Sequence, residues 1–203
     1  MPAPSAPSVR RLRSTARAML PFPEPESWLD VGTGEARFPQ AAKGVFPHTA
    51  FDGLDPSPLV MDAQAAERVE EAHMGRLTDP QITTRLRARY DVVSLLHHHL
   101  PRAPDSHEEL RAALAVLRPG GHLLYEVTLP YGAFAVDSLR GELESQGCTI
   151  VTSAPLPLPR ALLTAARALD EALTPVMAYT GFSKTYRVIA RKNASDASDA
   201  SAP

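Results

Sequence analysis

Cysteine is almost missing from this chain: Cys148 is the only one in 203 residues. An intrachain disulfide is therefore excluded. A lone thiol fits a reducing compartment, so a cytoplasmic location is expected. Long apolar runs are missing too, and nothing approaches the ~20 residues a membrane-spanning helix needs. The N-terminus carries arginines with no apolar stretch behind them, so it does not read as a secretory signal. Charge of one sign is absent: 21 basic and 23 acidic residues leave a formal net charge of -2. That balance supplies no general attraction to nucleic acid or to an anionic membrane. No basic run interleaved with aromatics points to RNA, and no repeat of fixed period appears.

What is present is an apolar fraction of 44%, enough for one domain with one sizeable core. The ends differ from the middle. Residues 1–8 are Pro, Ala and Ser almost throughout, and 193–203 repeat Ala, Ser and Asp. Neither buries enough apolar surface to offset ordering entropy, so both read as disordered tails of a single domain over 9–192.

Between the tails, strands and helices alternate. An amphipathic helix over 9–20 carries Val9, Leu12, Ala16, Met19 and Leu20 on one face, and Pro21, Pro23 and Pro25 stop it. Strands are expected at 28–31, 49–54, 74–78, 91–96, 122–127, 148–152 and 185–190. Helices are expected over 35–45, from Pro58 to about Ala72 behind a Ser57 cap, and from Asp79-Pro80. Another begins at the capping box of Ser106 and Glu109, and a last one runs over 137–146 with Gly147 as its stop. The pattern predicts an α/β fold: a doubly wound, seven-stranded, mostly parallel sheet covered on both faces. About 30 residues, with Pro155, Pro157 and Pro159 at their start, separate the last two strands. The final strand is therefore expected to enter antiparallel, with 155–182 as a cap insertion.

The most informative segment runs from Leu29 to Phe38, where Gly32-Thr33-Gly34 sits at a sharp strand-to-helix turn. Glycine permits the unusual backbone angles and lets a ligand come close. About 20 residues later a second strand ends in Asp55, whose carboxylate can accept from both hydroxyls of a ribose. A dinucleotide site needs a third glycine, and Arg37 stands in its place. Asp30 and Glu35 would also repel a phosphate. A cationic nucleoside such as S-adenosylmethionine suits these groups better.

At this point the chain resembles the class I S-adenosylmethionine-dependent methyltransferases. Asp30-Val31-Gly32-Thr33-Gly34-Glu35-Ala36 looks like their first motif, with Ala36 where a third glycine is usual. Residues 51–57, 90–97 and 117–124 look like three further motifs in the usual order. The resemblance implies a Rossmann-like methyltransferase fold. It implies that the loop from Asp30 through Gly32, Thr33 and Gly34 passes under the methionine part of the cofactor. Asp55, with Pro56 beside it, would hold the ribose. Asp79 would lie near the adenine, and Leu96 and His97 would close the methionine side.

Methyl transfer from a sulfonium is an in-line displacement with an activated leaving group, so alignment supplies much of the acceleration. A base is needed only when the acceptor must lose a proton. His97, His98 and His99 are the candidates. They do not read as a metal site, because adjacent side chains on an extended chain point in alternate directions; no metal is expected. Tyr131 is placed near the pocket edge, and Tyr179 and Phe182 are placed where they could stack on an acceptor. The apolar composition of 155–182 suggests a small hydrophobic or aromatic acceptor, handled by a monomer or homodimer with no nucleic acid and no membrane as partner. The competing functions are an RNA or protein methyltransferase that uses Arg10, Arg11, Arg13 and Arg17, and a non-catalytic cofactor-binding member acting through a partner.

Overall fold

The computed structural model describes residues 8–99, 105–130, 133–155 and 183–194. Of these, 97–99, 105–106, 127–130, 133–138, 155 and 183–185 are described as backbone only. The elements run α1 (Val9–Arg17), β1 (Ser27–Val31), α2 (Arg37–Ala42), β2 (Ala50–Asp55), α3 (Leu59–Ala65), β3 (Ala72–Met74) and α4 (Pro80–Arg85). They continue with β4 (Tyr90–His99), α5 (Asp105–Val116), β5 (Leu117–Pro130), α6 (Ala133–Ser145), β6 (Cys148–Pro155) and β7 (Ser183–Lys192).

The seven strands form one sheet in the order β3-β2-β1-β4-β5-β7-β6. Pairing is parallel from β3 through β5. β7 is antiparallel to both β5 and β6, as the late return of the chain predicts. The winding reverses between β1 and β4. In open α/β sheets a crevice opens at such a point, beyond the strands' carboxyl ends.

Alternation along the strands divides the core. Leu29, Val31, Val93 and Leu95 pack on one face with α4, α5 and α6. Trp28, Val92, Leu96 and Leu124 pack on the other with α1 and α2. Trp28 is fully buried, with Phe38, Phe46 and Phe51 at ring-centroid distances of 5.4–5.7 Å. Helix α1 docks through Leu12 and Ala16, and Met19 just beyond it is buried too, each burial worth roughly 1–3 kcal/mol. A buried polar latch adds direction: Thr15 and Arg187 both donate to the Glu126 carboxylate, at 2.9 and 2.7 Å. This latch holds α1 against the carboxyl half of β5, beside the crevice.

Several boundaries differ from expectation for local reasons. Helix α2 starts at Arg37 rather than Glu35, because Ala36 takes a left-handed conformation with φ of 55°. Helix α3 stops at Ala65 and not near Ala72, since Glu67 is left-handed as well. β3 therefore comes earlier, at Ala72–Met74. Ser57 does not cap α3; its N–H and hydroxyl both donate to Asp55. β4 continues through His99, with an irregular register between Leu95 and His98. Ser8, inside the expected N-terminal tail, caps α1, and Asn193, inside the expected C-terminal tail, bonds to Gly147 and Thr149. Gly147 ends α6 with φ of 74°. No helix among the described residues is long and apolar enough to cross a membrane.

Candidate active site

β1 delivers the glycine turn to the crevice. The N–H groups of Gly32 and Thr33 both donate to the Leu54 carbonyl, which ties the turn to the end of β2. Gly32 and Gly34 have φ of 71° and 52°, angles that disfavour any side chain. A Cβ at either would meet nothing within 4 Å, so the turn faces open space. The turn is pinned from below. Asp55 Oδ2 accepts from the Gly34 N–H at 2.9 Å, while Oδ1 accepts from the N–H and hydroxyl of Ser57. Asp55 thus holds the loop as well as facing the crevice.

Asp30 lies under the turn, 3% exposed. Trp28 Nε1 donates to Ser94 Oγ at 2.9 Å, and Ser94 donates to Asp30 at 2.6 Å. Burial pushes the Asp30 carboxyl from its ordinary 3.8 up to about 7. The Ser94 and Thr33 hydroxyls oppose that rise, and the nearby Asp55 charge adds to it. The Thr33 hydroxyl is itself buried and lies by the Asp30 carboxylate without ordinary hydrogen-bond geometry.

Two cavities flank the turn and share Val31 and Gly32. One, of about 160 Å³, lies on the α1 side, lined by Leu12, Asp30, Thr33, Arg37, Phe38 and Leu96. The other, of about 320 Å³, is lined by Leu54, Asp55, Pro56, Leu77, Thr78 and Glu108, among others. A larger cleft of about 480 Å³ lies at the amino ends of the strands, around Phe22, Arg118 and His122, away from the glycine turn.

The expected residues thus divide. Asp30, Gly32, Thr33 and Leu96 line the first cavity, Asp55 and Pro56 the second, and Gly34 bonds to Asp55. Asp79 does not line the second cavity; its carboxylate caps α4 by accepting from the Gln81 N–H at 2.9 Å, and Leu77 and Thr78 face the space instead. His97, His98 and His99 lie at the crevice end of β4, but their side chains are outside the described residues, as are Tyr131, Tyr179 and Phe182. The sequence reading missed Ser94 and Gly53. A Cβ on Gly53 would stand 2.8 Å from Thr33 Cγ2, so this glycine makes room for the loop. Its signal was available: a glycine inside a strand often marks a close approach.

Asp52, the rival carboxylate on β2, belongs to a different structure. It accepts from the Tyr90 hydroxyl at 2.8 Å and the Glu71 N–H at 3.0 Å, with Arg89 at 3.5 Å. Asp52, Glu71 and His73 come within 4.8 Å of one another. Arg89 also binds Glu71, and Arg85 lies 3.4 Å from His73 Nδ1, so cations of the chain already serve this group.

The described residues thus set a glycine turn at a sheet reversal, with carboxylates and two cavities beside it, in an α/β protein. A family profile described as a methyltransferase domain matches residues 8–156. The chain belongs to that family and is an S-adenosylmethionine-dependent methyltransferase. Among solved structures it is similar to a provisionally assigned sarcosine dimethylglycine methyltransferase from Galdieria sulphuraria, at 12% identity, TM-score 0.62, covering 91% of this chain and 84% of that one. It is also similar to the [4+2]-cyclase SpnF, at 16% identity, TM-score 0.63 and coverages of 92% and 81%. A provisionally assigned methyltransferase crystallised with the Haloferax volcanii Trm112 activator matches at 18%, TM-score 0.59 and 91% of each chain. These identities establish the shared fold alone, and the cyclase shows that the fold does not dictate the reaction. No curated protein matches the sequence significantly.

Proposed function

We propose that the two joined cavities hold S-adenosylmethionine and that its methyl group passes to a small, hydrophobic or aromatic acceptor. The observation that carries this reading is the turn itself. Open space over Gly32 and Gly34, a buried hydroxyl at Thr33, and carboxylates at Asp30 and Asp55 fit a ligand with an ammonium, a sulfonium and a ribose, and no phosphate. When bound, the cofactor supplies a methyl group on a positively charged sulfur, which needs no further activation.

The residues of the chain do the positioning. Asp55 has lone pairs left after serving Gly34 and Ser57, and these accept from ribose hydroxyls. Asp30 and Thr33 face the amino-acid end, with Leu96 as an apolar wall. Thr78 and Leu77 border the cavity assigned to the base. The backbone of β4 brings His97, His98 and His99 to the crevice, where one of them would take a proton from a hydroxyl or amine acceptor. The apolar composition of 155–182, with Tyr179 and Phe182, supports an apolar acceptor and assigns these residues, with Tyr131, to its binding.

Isothermal titration tests the cofactor. S-adenosylmethionine and S-adenosylhomocysteine should bind without metal and more tightly than a nicotinamide dinucleotide; the opposite order would falsify the reading. Mass analysis of a small-molecule extract incubated with methyl-labelled cofactor then identifies the acceptor. Label appearing only in RNA or protein would refute the small-molecule assignment.

A further inference from the structure

A fourth cavity, of about 540 Å³, lies between α1, α2 and the chain that follows α3. Its lining combines Val9, Leu12 and Ala41 with Arg13, Arg37 and Arg68. Leu12, Glu35 and Arg37 also line the smaller cofactor cavity, so the two spaces meet along this wall.

The charges do not balance. Glu35 is the one carboxylate in the lining, and Arg37 uses it, with Nε and Nη2 both 2.9 Å from Oε2. Arg68 donates to the backbone carbonyl of Glu35 at 3.0 Å and has no carboxylate partner among the described residues. Arg13 has none either; its guanidinium lies by Gly44. Four arginines elsewhere do have carboxylate partners: Arg11 and Arg187 at Glu126, Arg89 at Asp52 and Glu71, and Arg118 at Asp91. The cleft thus holds two unmatched guanidinium groups over an apolar floor.

We propose that this cleft binds a small organic anion, a carboxylate or phosphate ester with an apolar body, against the methionine end of the cofactor. Guanidinium forks favour these groups by charge and by planar geometry. The volume fits a small molecule. The anion is an acidic group carried by the methyl acceptor. The placement beside the methionine end rests on the proposed cofactor site; the anion binding itself does not.

The test uses the full chain with benzoate and phenyl phosphate as probes, benzamide as their neutral counterpart, and the variants Arg13→Gln and Arg68→Gln. These side chains are outside the core, so thermal unfolding should be unchanged. With S-adenosylhomocysteine saturating, each probe anion should bind, benzamide should not compete, and each variant should weaken the anion roughly tenfold, as expected for a lost charge-assisted bond. This outcome assigns the cleft to the acceptor. If instead the variants weaken S-adenosylhomocysteine roughly tenfold and leave 5'-methylthioadenosine, which lacks the amino-acid end, unchanged, the arginines serve the cofactor's own carboxylate and the proposal is overturned. The proposal is overturned if benzamide binds as well as benzoate, if neither variant affects any ligand, or if NMR shifts from the probes map around Arg118. It is also overturned if single-stranded RNA binds more tightly than the probes, with steep salt dependence and loss in Arg10 and Arg17 variants. Failure of both nucleosides to bind would refute the proposed function, and probe binding to the free protein would then decide the cleft alone.

Discussion

Asp52 and Asp55 stand three residues apart on β2, and their surroundings are opposite. Asp52 is 5% exposed and saturated: a tyrosine, a backbone N–H and an arginine all reach it. Asp55 is half-buried and serves only the glycine turn and Ser57, with a cavity on its open side. Asp30 makes the contrast sharper. Like Asp52 it is buried with a raised pKa, yet the groups that act on it are the Ser94 and Thr33 hydroxyls and the Asp55 carboxylate, with no cation among the described residues paired to it. Buried acid therefore marks function only where the protein leaves it without a counter-charge.

Removing Asp52 should give the largest effect and the least functional one. Asp52→Ala strips the partner from the Tyr90 hydroxyl and from Arg89, which should cost about 3 kcal/mol of stability. Urea unfolding measures this, and titration should find cofactor affinity nearly intact. A large loss of affinity with unchanged stability would reverse the assignment of the two aspartates. Asp55→Ala should do the opposite, weakening S-adenosylhomocysteine by roughly 1.5–3 kcal/mol, the range for bonds to a charged group. Calorimetry decides it, and an affinity within twofold of the parent would remove Asp55 from the site.

Asp30 predicts a pH dependence. Its native pKa is raised from 3.8 to about 7. The native state therefore holds the proton more tightly than the unfolded chain. The stability this contributes is full below pH 3.8 and lost as pH rises toward 7. Binding an ammonium needs the carboxylate, so the sign for the cofactor is reversed. Affinity should rise as pH climbs through about 6 to 7, by at most tenfold per pH unit, and level off above. Proton release on binding, seen as a buffer-dependent heat, checks the linkage. Asp30→Asn should flatten the profile; an unaltered slope would place the titration elsewhere.

The smallest effect concerns Ala36. A left-handed alanine is strained by roughly 1–2 kcal/mol. Ala36→Gly relieves that strain but adds unfolded-state freedom and removes a buried methyl, each worth about 0.8 kcal/mol. Stability should stay within about 0.5 kcal/mol of the parent. A loss above 1 kcal/mol in thermal or urea unfolding would show that packing against Ala63 and Val69 outweighs the strain.

Much of this was legible in residue order. Hydrophobic alternation and turn residues foretold seven strands, their winding and the antiparallel end. Gly32, Gly34 and Asp55 announced the crevice because their roles depend on backbone geometry set within a few residues. The residues with two readings share a feature. Ser57 was read as a helix cap, and Asp79 both as a helix cap and as a neighbour of the adenine. Each residue type suits both roles, and only the packed chain selects the partner. Ser57 turned to Asp55, and Asp79 turned to Gln81. Ala36 and Glu67 shortened two helices through left-handed backbone that no composition rule foresees.

Local order along the chain determined the class of fold, the glycine turn and the acidic character of the site, since each follows from period, spacing and residue chemistry. Tertiary structure alone decided which carboxylates are already answered. Counter-charges come from distant segments: Tyr90 and Arg89 reach Asp52 across two strands, Ser94 reaches Asp30 from β4, and Arg13, Arg37 and Arg68 meet from three separate segments. Electrostatic balance is a property of distances in space, and only the folded chain sets those distances.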